Sequence, residues 1–282
     1  MFSLDPRADE PSALLLESTL LSGRSGLAIG GGVLSFAARA DATPVVGTNE
    51  TTKRSEAGSM DSSLVVFFVV TVLWVFSVCL HEFGHAWVAY RGGDYTVAEK
   101  GYLTMNPLRY TDPIFSILMP VLFMALGGIG LPGGAVYIDR SLLRSREWST
   151  AVSLAGPAMN VILILIIGLA FKSGLIPPDS SKVATISMAF VMYLQVSALL
   201  LNLLPVPPLD GFQALAPWMR PDARERLYGL SNVGLFALFL ALWYIKPFGQ
   251  AFDAVVDSIC AFMGVDSRWT YLGYRAFRFW EH

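Results

Sequence analysis

The sequence predicts an all-α, multi-pass membrane protein, and three observations carry that prediction. Only 15% of the 282 residues are charged, against about 25% in an ordinary soluble domain. Hydrophobic residues make up 54% of the chain and mean hydropathy is +0.53. The apolar residues are also gathered into long runs. One covers 64–90, and uncharged stretches follow at 149–171, 184–204 and 227–245. At a rise of about 1.5 Å per residue, each can cross a hydrocarbon layer of about 30 Å as a helix.

Taken in order, residues 1–62 mix Pro, Ser, Gly, Thr and charged side chains. The apolar patch at 27–38 holds three consecutive glycines and is too short to span. Acidic residues Asp5, Asp9, Glu10 and Glu17 precede it, unlike the start of a signal peptide. This stretch reads as a polar, disordered N-terminal extension. From Leu64 the character changes abruptly, with Thr71 and Ser77 the polar members of 64–80. Arg91-Gly92-Gly93-Asp94 closes that run, as charge and glycine do at a helix end.

Residues 113–138 are uncharged up to Ile138 but broken by Pro113, Pro120, Pro132 and several glycines. Such a segment crosses once or dips in and returns, the latter where protein buries its backbone. Lys and Arg placement favours the re-entrant form. With it, nine basic residues fall on one side and five on the other; a single crossing gives six and eight. The positive-inside rule then makes the richer side cytoplasmic. The expected fold is a bundle of about 4–6 transmembrane helices, with a re-entrant or β-hairpin-like insertion after the first core helix. Residues 63–247 form its membrane domain. The tail, 248–282, carries Asp253 and Asp257 in an apolar background and ends in Arg275-Ala276-Phe277-Arg278-Phe279-Trp280. It reads as interfacial.

Net charge is −2, which gives no electrostatic reason for a nucleic-acid partner. Two cysteines, Cys79 and Cys260, are too few for a disulfide framework.

The chemistry is concentrated in His81-Glu82-Phe83-Gly84-His85. On a helix, histidines four apart share a face, so both imidazoles can reach one zinc ion. Glu82 projects beside them, placed to take a proton from water at the metal. An ionisable side chain within a span costs about 2.5 kcal/mol or more and is functional by default; here three fall within five positions. A catalytic zinc normally takes three protein ligands. The carboxylates near the membrane are Asp94, Glu99, Asp112, Asp139 and Asp210. Asp210 follows a span and a segment with three prolines, Pro205, Pro207 and Pro208. Prolines end or unwind a helix, and unwound backbone at membrane depth lines a cavity or is buried. A loop simply leaving the membrane would look the same.

Three motifs occur together: HExGH on a membrane helix, Ala155-Gly156-Pro157-Ala158-Met159-Asn160 at the opening of a later one, and Asn202-Leu203-Leu204-Pro205 followed by Leu209-Asp210-Gly211. In that order they resemble the site-2 protease family, intramembrane zinc metalloproteases that cut proteins in or near their transmembrane segments. The resemblance covers 64–245. It implies one Zn2+ per chain held by His81, His85 and Asp210, with Glu82 as catalytic base and active-site roles for Asn160 and Asn202. It also implies a lipid bilayer as surroundings, a membrane-protein substrate with a transmembrane segment, and a multi-pass location in the cell (inner) membrane, the site lying nearer the cytoplasm. Two departures stand out. Tyr110 occupies a position where family members often carry His, and only 172–183 separate the second and third core helices, so no PDZ domain fits there. A transporter, or a protease-like protein that binds without cutting, would use the same polar intramembrane groups.

Overall fold

The computed structural model describes residues 49–106, 136–176 and 182–281. The extension up to residue 48, most of the 113–138 insertion, Tyr110 and Asp112 lie outside these, and the re-entrant expectation falls there. Among the described residues the secondary structure is helical, with no strand. The chain is an all-α membrane protein.

Helix α1 runs from Asn49 to Gly92, 44 residues, of which Ser62–Gly92 is apolar enough to cross a bilayer. It starts well before the hydropathy change at Leu64. The reason lies in 49–61, which hold Glu, Lys, Ala and Met and no proline. Once the apolar part is helical, such residues extend it at little cost. The helix stops where Gly93 adopts φ 120, a conformation closed to most side chains. A short turn, α2 (Thr96–Glu99), follows. Asp94 is fully buried there and accepts hydrogen bonds from the Thr96 amide and hydroxyl and from the Asp139 amide. Asp139 accepts in turn from the Ser141 hydroxyl and amide, which hold its carboxyl below the usual range. Both aspartates are thereby used as local braces.

Helix α3 (Arg146–Lys172) is capped by the Ser145 hydroxyl on the Trp148 amide and contains Pro157. Helix α4 (Lys182–Asn202) completes the trio of long apolar helices. Val66, Val70 and Trp74 of α1 pack with Ile164 and Ile167 of α3 and with Phe190, Met192 and Leu194 of α4. Small residues set the helix spacing. A Cβ at Gly84 would stand 2.8 Å from the Ala155 carbonyl oxygen, so α1 and α3 approach almost backbone to backbone.

After α4 the chain breaks at 203–209 and re-forms as α5 (Asp210–Leu215). The fourth predicted span is shorter than the run at 227–245. It divides at Leu230, between α6 (Pro221–Gly229) and α7 (Ser231–Tyr244), which bend by 60°. Gly229 ends α6 and the Ser231 hydroxyl donates to the Tyr228 carbonyl at the break. Fourteen residues reach about 21 Å, less than the hydrocarbon thickness of about 30 Å. Among the described residues, three helices are long and apolar enough to cross by themselves, and up to five spans result if each bent pair is one.

The second bent pair is the tail, α8 (Lys246–Phe262) and α9 (Ser267–Phe277), at 115°. It enters the bundle more deeply than a surface anchor would. Val256, Cys260, Met263, Val265 and Phe277 belong to the main core. Asp253 accepts from the Tyr193 hydroxyl of α4 at 3.0 Å, which accounts for one of the acidic groups in the apolar background. Gly273 lets α9 lie on α4, since a Cβ there would come closer than 3.0 Å to the Ile186 carbonyl oxygen. Gly273→Val is therefore expected to destabilise the fold by about 1–3 kcal/mol, read as a lowered midpoint of thermal unfolding in detergent. An unchanged midpoint would mean that α9 is not docked on α4.

Candidate active site

Histidines 81 and 85 lie one turn apart on α1, their ring centroids 4.7 Å apart. Both are buried, as is Glu82 at 6% exposure. Each imidazole is oriented through its Nδ1. His85 Nδ1 lies 2.6 Å from the Val152 carbonyl oxygen. A carbonyl can only accept, so Nδ1 carries a proton, and in the neutral imidazole Nε2 presents a lone pair. His81 Nδ1 lies 2.6 Å from Asn160 Oδ1. That amide's orientation follows from its other end, where Nδ2 donates to Gln195 Oε1 at 2.8 Å. His81 Nδ1 is therefore a donor too, and its Nε2 also presents a lone pair.

The two Nε2 atoms are 3.0 Å apart. Asp210, the first residue of α5, brings its carboxylate to 3.1 Å from His81 Nε2 and 3.4 Å from His85 Nε2. With both imidazoles neutral, three electron-pair donors converge on one point. Facing lone pairs repel, and a buried carboxylate needs compensation. A cation at the centre satisfies all three at once. The ligand atoms lie within 4.8 Å of one another, and two imidazoles with one carboxylate form a known catalytic zinc set that leaves a position for water. The residues present fit that ion.

The local sequence explains how three elements reach one point. Helical spacing supplies the histidines. Gly156 of α3 lies against them: a Cβ there would come closer than 3.0 Å to both Nε2 atoms. Gly211 sits so tightly against the Leu203 carbonyl oxygen that a Cβ would overlap it, which seats Asp210 after the proline break. A cavity of about 340 Å3 opens over the cluster, lined by His81, Glu82, His85, Asn202 and Asp210 among others. Glu82 stands on this wall and not in the donor cluster. Its Oε2 accepts from the Val136 amide at 3.1 Å, where the chain emerges from the insertion.

The structure therefore brings His81, His85 and Asp210 together, with Glu82 and Asn202 on the same cavity. Asn160 lies behind His81, both ends of its amide engaged, and is absent from the wall of the main cavity. That position suits orienting an imidazole and not meeting a reacting oxygen. Of the other carboxylates weighed, Asp94 and Asp139 brace the loop, and Glu99 is exposed. Sequence reading missed the Val152 carbonyl, Gln195 and Gly156 as parts of the site. A carbonyl leaves no mark in a sequence, but a glycine such as Gly156 within an apolar helix is the signal from which a close approach could have been read.

Comparison with known proteins bears on this geometry. Curated relatives carry the name "Putative zinc metalloprotease": Rip2 of Mycolicibacterium smegmatis, 43% identical over 77% of this chain and 82% of its own length; Rip2 of Mycobacterium tuberculosis, 42% identical with the same coverage; and YwhC of Bacillus subtilis, 31% identical over 67% of this chain and 84% of its own. This chain belongs to the site-2 protease family. No family model matches the sequence, and no solved structure matches it. As a site-2 protease homologue, the chain retains the family's HExGH helix and the distant Asp in one cluster. The matched relatives extend over most of its length, so the resemblance is not confined to a short motif.

Proposed function

We propose that this protein hydrolyses peptide bonds in or next to transmembrane segments of membrane proteins, using one zinc ion held by His81, His85 and Asp210. The observation that carries the reading is the convergence of two imidazole Nε2 atoms and one carboxylate at 3.0–3.4 Å beside a cavity. A bound zinc ion supplies Lewis acidity and brings the pKa of a coordinated water from 15.7 to about 7.

Glu82 accepts the proton of the attacking water and returns it to the leaving amine. The Val152 carbonyl and Asn160 hold the two imidazoles with Nε2 facing inward, and Gln195 holds Asn160. Asn202 lines the cavity beside the reacting bond. A transmembrane helix has its carbonyls already hydrogen-bonded and must unwind before it can be cut. The non-helical backbone at 136–139 supports a docking edge, along which an unwound substrate adds as a strand. The preceding 113–135 complete a re-entrant insertion in this reading, in a bundle of four to six spans. Lys and Arg placement puts the site toward the cytoplasm of the cell (inner) membrane. The interfacial arginines and aromatics of the tail hold the outer face of α9 at the lipid boundary.

Metal analysis of the purified protein in detergent, with cleavage of a transmembrane test substrate, examines the reading directly. About one zinc per chain and cut product are expected. Absence of zinc from an active preparation would overturn it. Asn160→Ala is expected to weaken zinc binding about 10–100-fold, the usual cost of losing a group that orients a ligand; a competition titration against a chelator measures this. An unchanged affinity would leave Asn160 without a positioning role. Kinship with proteins named as proteases leaves the transporter alternative without a supporting observation.

A further inference from the structure

A second cavity, of about 730 Å3, adjoins the first. Arg140 and Gln213 line both, so these two side chains stand at the boundary between the two spaces. The second is basic. Arg140, Arg146 and Arg224 contribute to its wall, and no acidic residue does. Glu147, Asp222 and Glu225 are their neighbours in sequence but are not part of the lining.

Arg140 is the informative member. It follows the non-helical stretch at 136–139, and its guanidinium donates to the Ser149 carbonyl, the Ser149 hydroxyl and the Ser153 hydroxyl, at 3.1, 2.6 and 2.9 Å. All three partners are neutral. Among the described residues, no carboxylate forms an ion pair with Arg140, Arg146 or Arg224. Arg140 is half-buried, fixed by α3 through neutral groups and attracted through space by the Asp210 carboxylate, while Arg146 and Arg224 are exposed without an ion pair, so the three together can still receive an anionic partner.

We infer that the second cavity is a substrate subsite for an acidic segment, one bearing Asp or Glu beside the cleaved transmembrane stretch. The inference rests on the reading of the first cavity as a peptidase site. A space of that volume is about 11 Å across, room for about three extended residues. An anionic lipid headgroup would satisfy the same arginines. The shared lining residues Arg140 and Gln213 put the arginines next to the catalytic cavity, which favours a peptide bound across the cluster.

The test uses the full chain in detergent, with otherwise identical substrates carrying three Asp, three Asn or three Lys on one flank or the other. The wild type is expected to show a KM about fivefold lower for the Asp form than for the Asn form, the size that two or three partly exposed charge pairs supply. That ratio falls toward one in Arg146→Gln/Arg224→Gln. In Arg146→Glu/Arg224→Glu the preference passes to the Lys form, an outcome that a misfolded variant cannot produce. Equal KM values for all three substrates on both flanks would overturn the subsite and leave the protease reading standing. Failure of the zinc-loaded wild type to cut any of them would remove that reading, and the subsite with it. Loss of a dependence on anionic lipid in nanodiscs, with no substrate preference, would make the cavity a headgroup site and overturn the proposal.

Discussion

Glu82→Gln is expected to lower cleavage by about 10²–10⁴-fold, the contribution of a positioned general base, while zinc content stays at that of the wild type. The two halves of this result follow from separate features. Glu82 stands outside the donor cluster, so its charge is not needed to hold the ion. The amide is nearly isosteric and keeps a carbonyl oxygen to accept from the Val136 amide, so the wall of the cavity should persist. What disappears is the capacity to take a proton from water. Cleavage assays and metal analysis on the same preparation read both halves. Wild-type rates in Glu82→Gln would assign the base elsewhere.

Asp210→Ala is expected to abolish cleavage and to weaken zinc binding by more than about 100-fold, beyond what loss of an orienting group costs. Asp210 supplies the carboxylate of the cluster and reaches both Nε2 atoms from a different part of the chain. Without it, two imidazoles on one helix face remain, a weaker set than the three ligands a catalytic zinc requires. Metal analysis after dialysis against a chelator measures the loss. Circular dichroism of the helical bands should be little changed, because the apolar packing of α1, α3 and α4 does not involve Asp210. Full zinc occupancy in this variant would remove Asp210 from the ligand set.

Much of the site was legible because its chemistry is local or ordered along the chain. His81 and His85 announce themselves by spacing on one helix, and their burial in an apolar span marks them out. Asp210 was one of five candidates on physical grounds, and only family order selected it. The reason is geometric: a ligand from a distant element is fixed by backbone breaks and by small residues such as Gly211, whose effect depends on what lies opposite. The long helices were legible for the same reason as the histidines, since hydropathy accumulates over about 20 residues. The division at Leu230 was not, because Leu227-Tyr228-Gly229 before the break carry no charge and read as continuous with the run to 245. The packing of the tail was hidden for the opposite reason. Asp253 and Asp257 suggested an interface, yet the hydroxyl that receives Asp253 comes from Tyr193, sixty positions away.

The hydrogen bonds that orient the histidines also join their helices. His81 reaches Asn160 on α3, Asn160 reaches Gln195 on α4, and His85 reaches the Val152 carbonyl on α3. A substrate that arrived by wedging α1 away from α3 would break two of these and turn the imidazoles out of position at the moment they were needed. A route past α7 avoids that conflict. Leu235 and Phe239 line the cavity from that helix with side chains that have no polar partner to lose. The same bonds that make the site thus restrict the direction from which it can be reached without being dismantled.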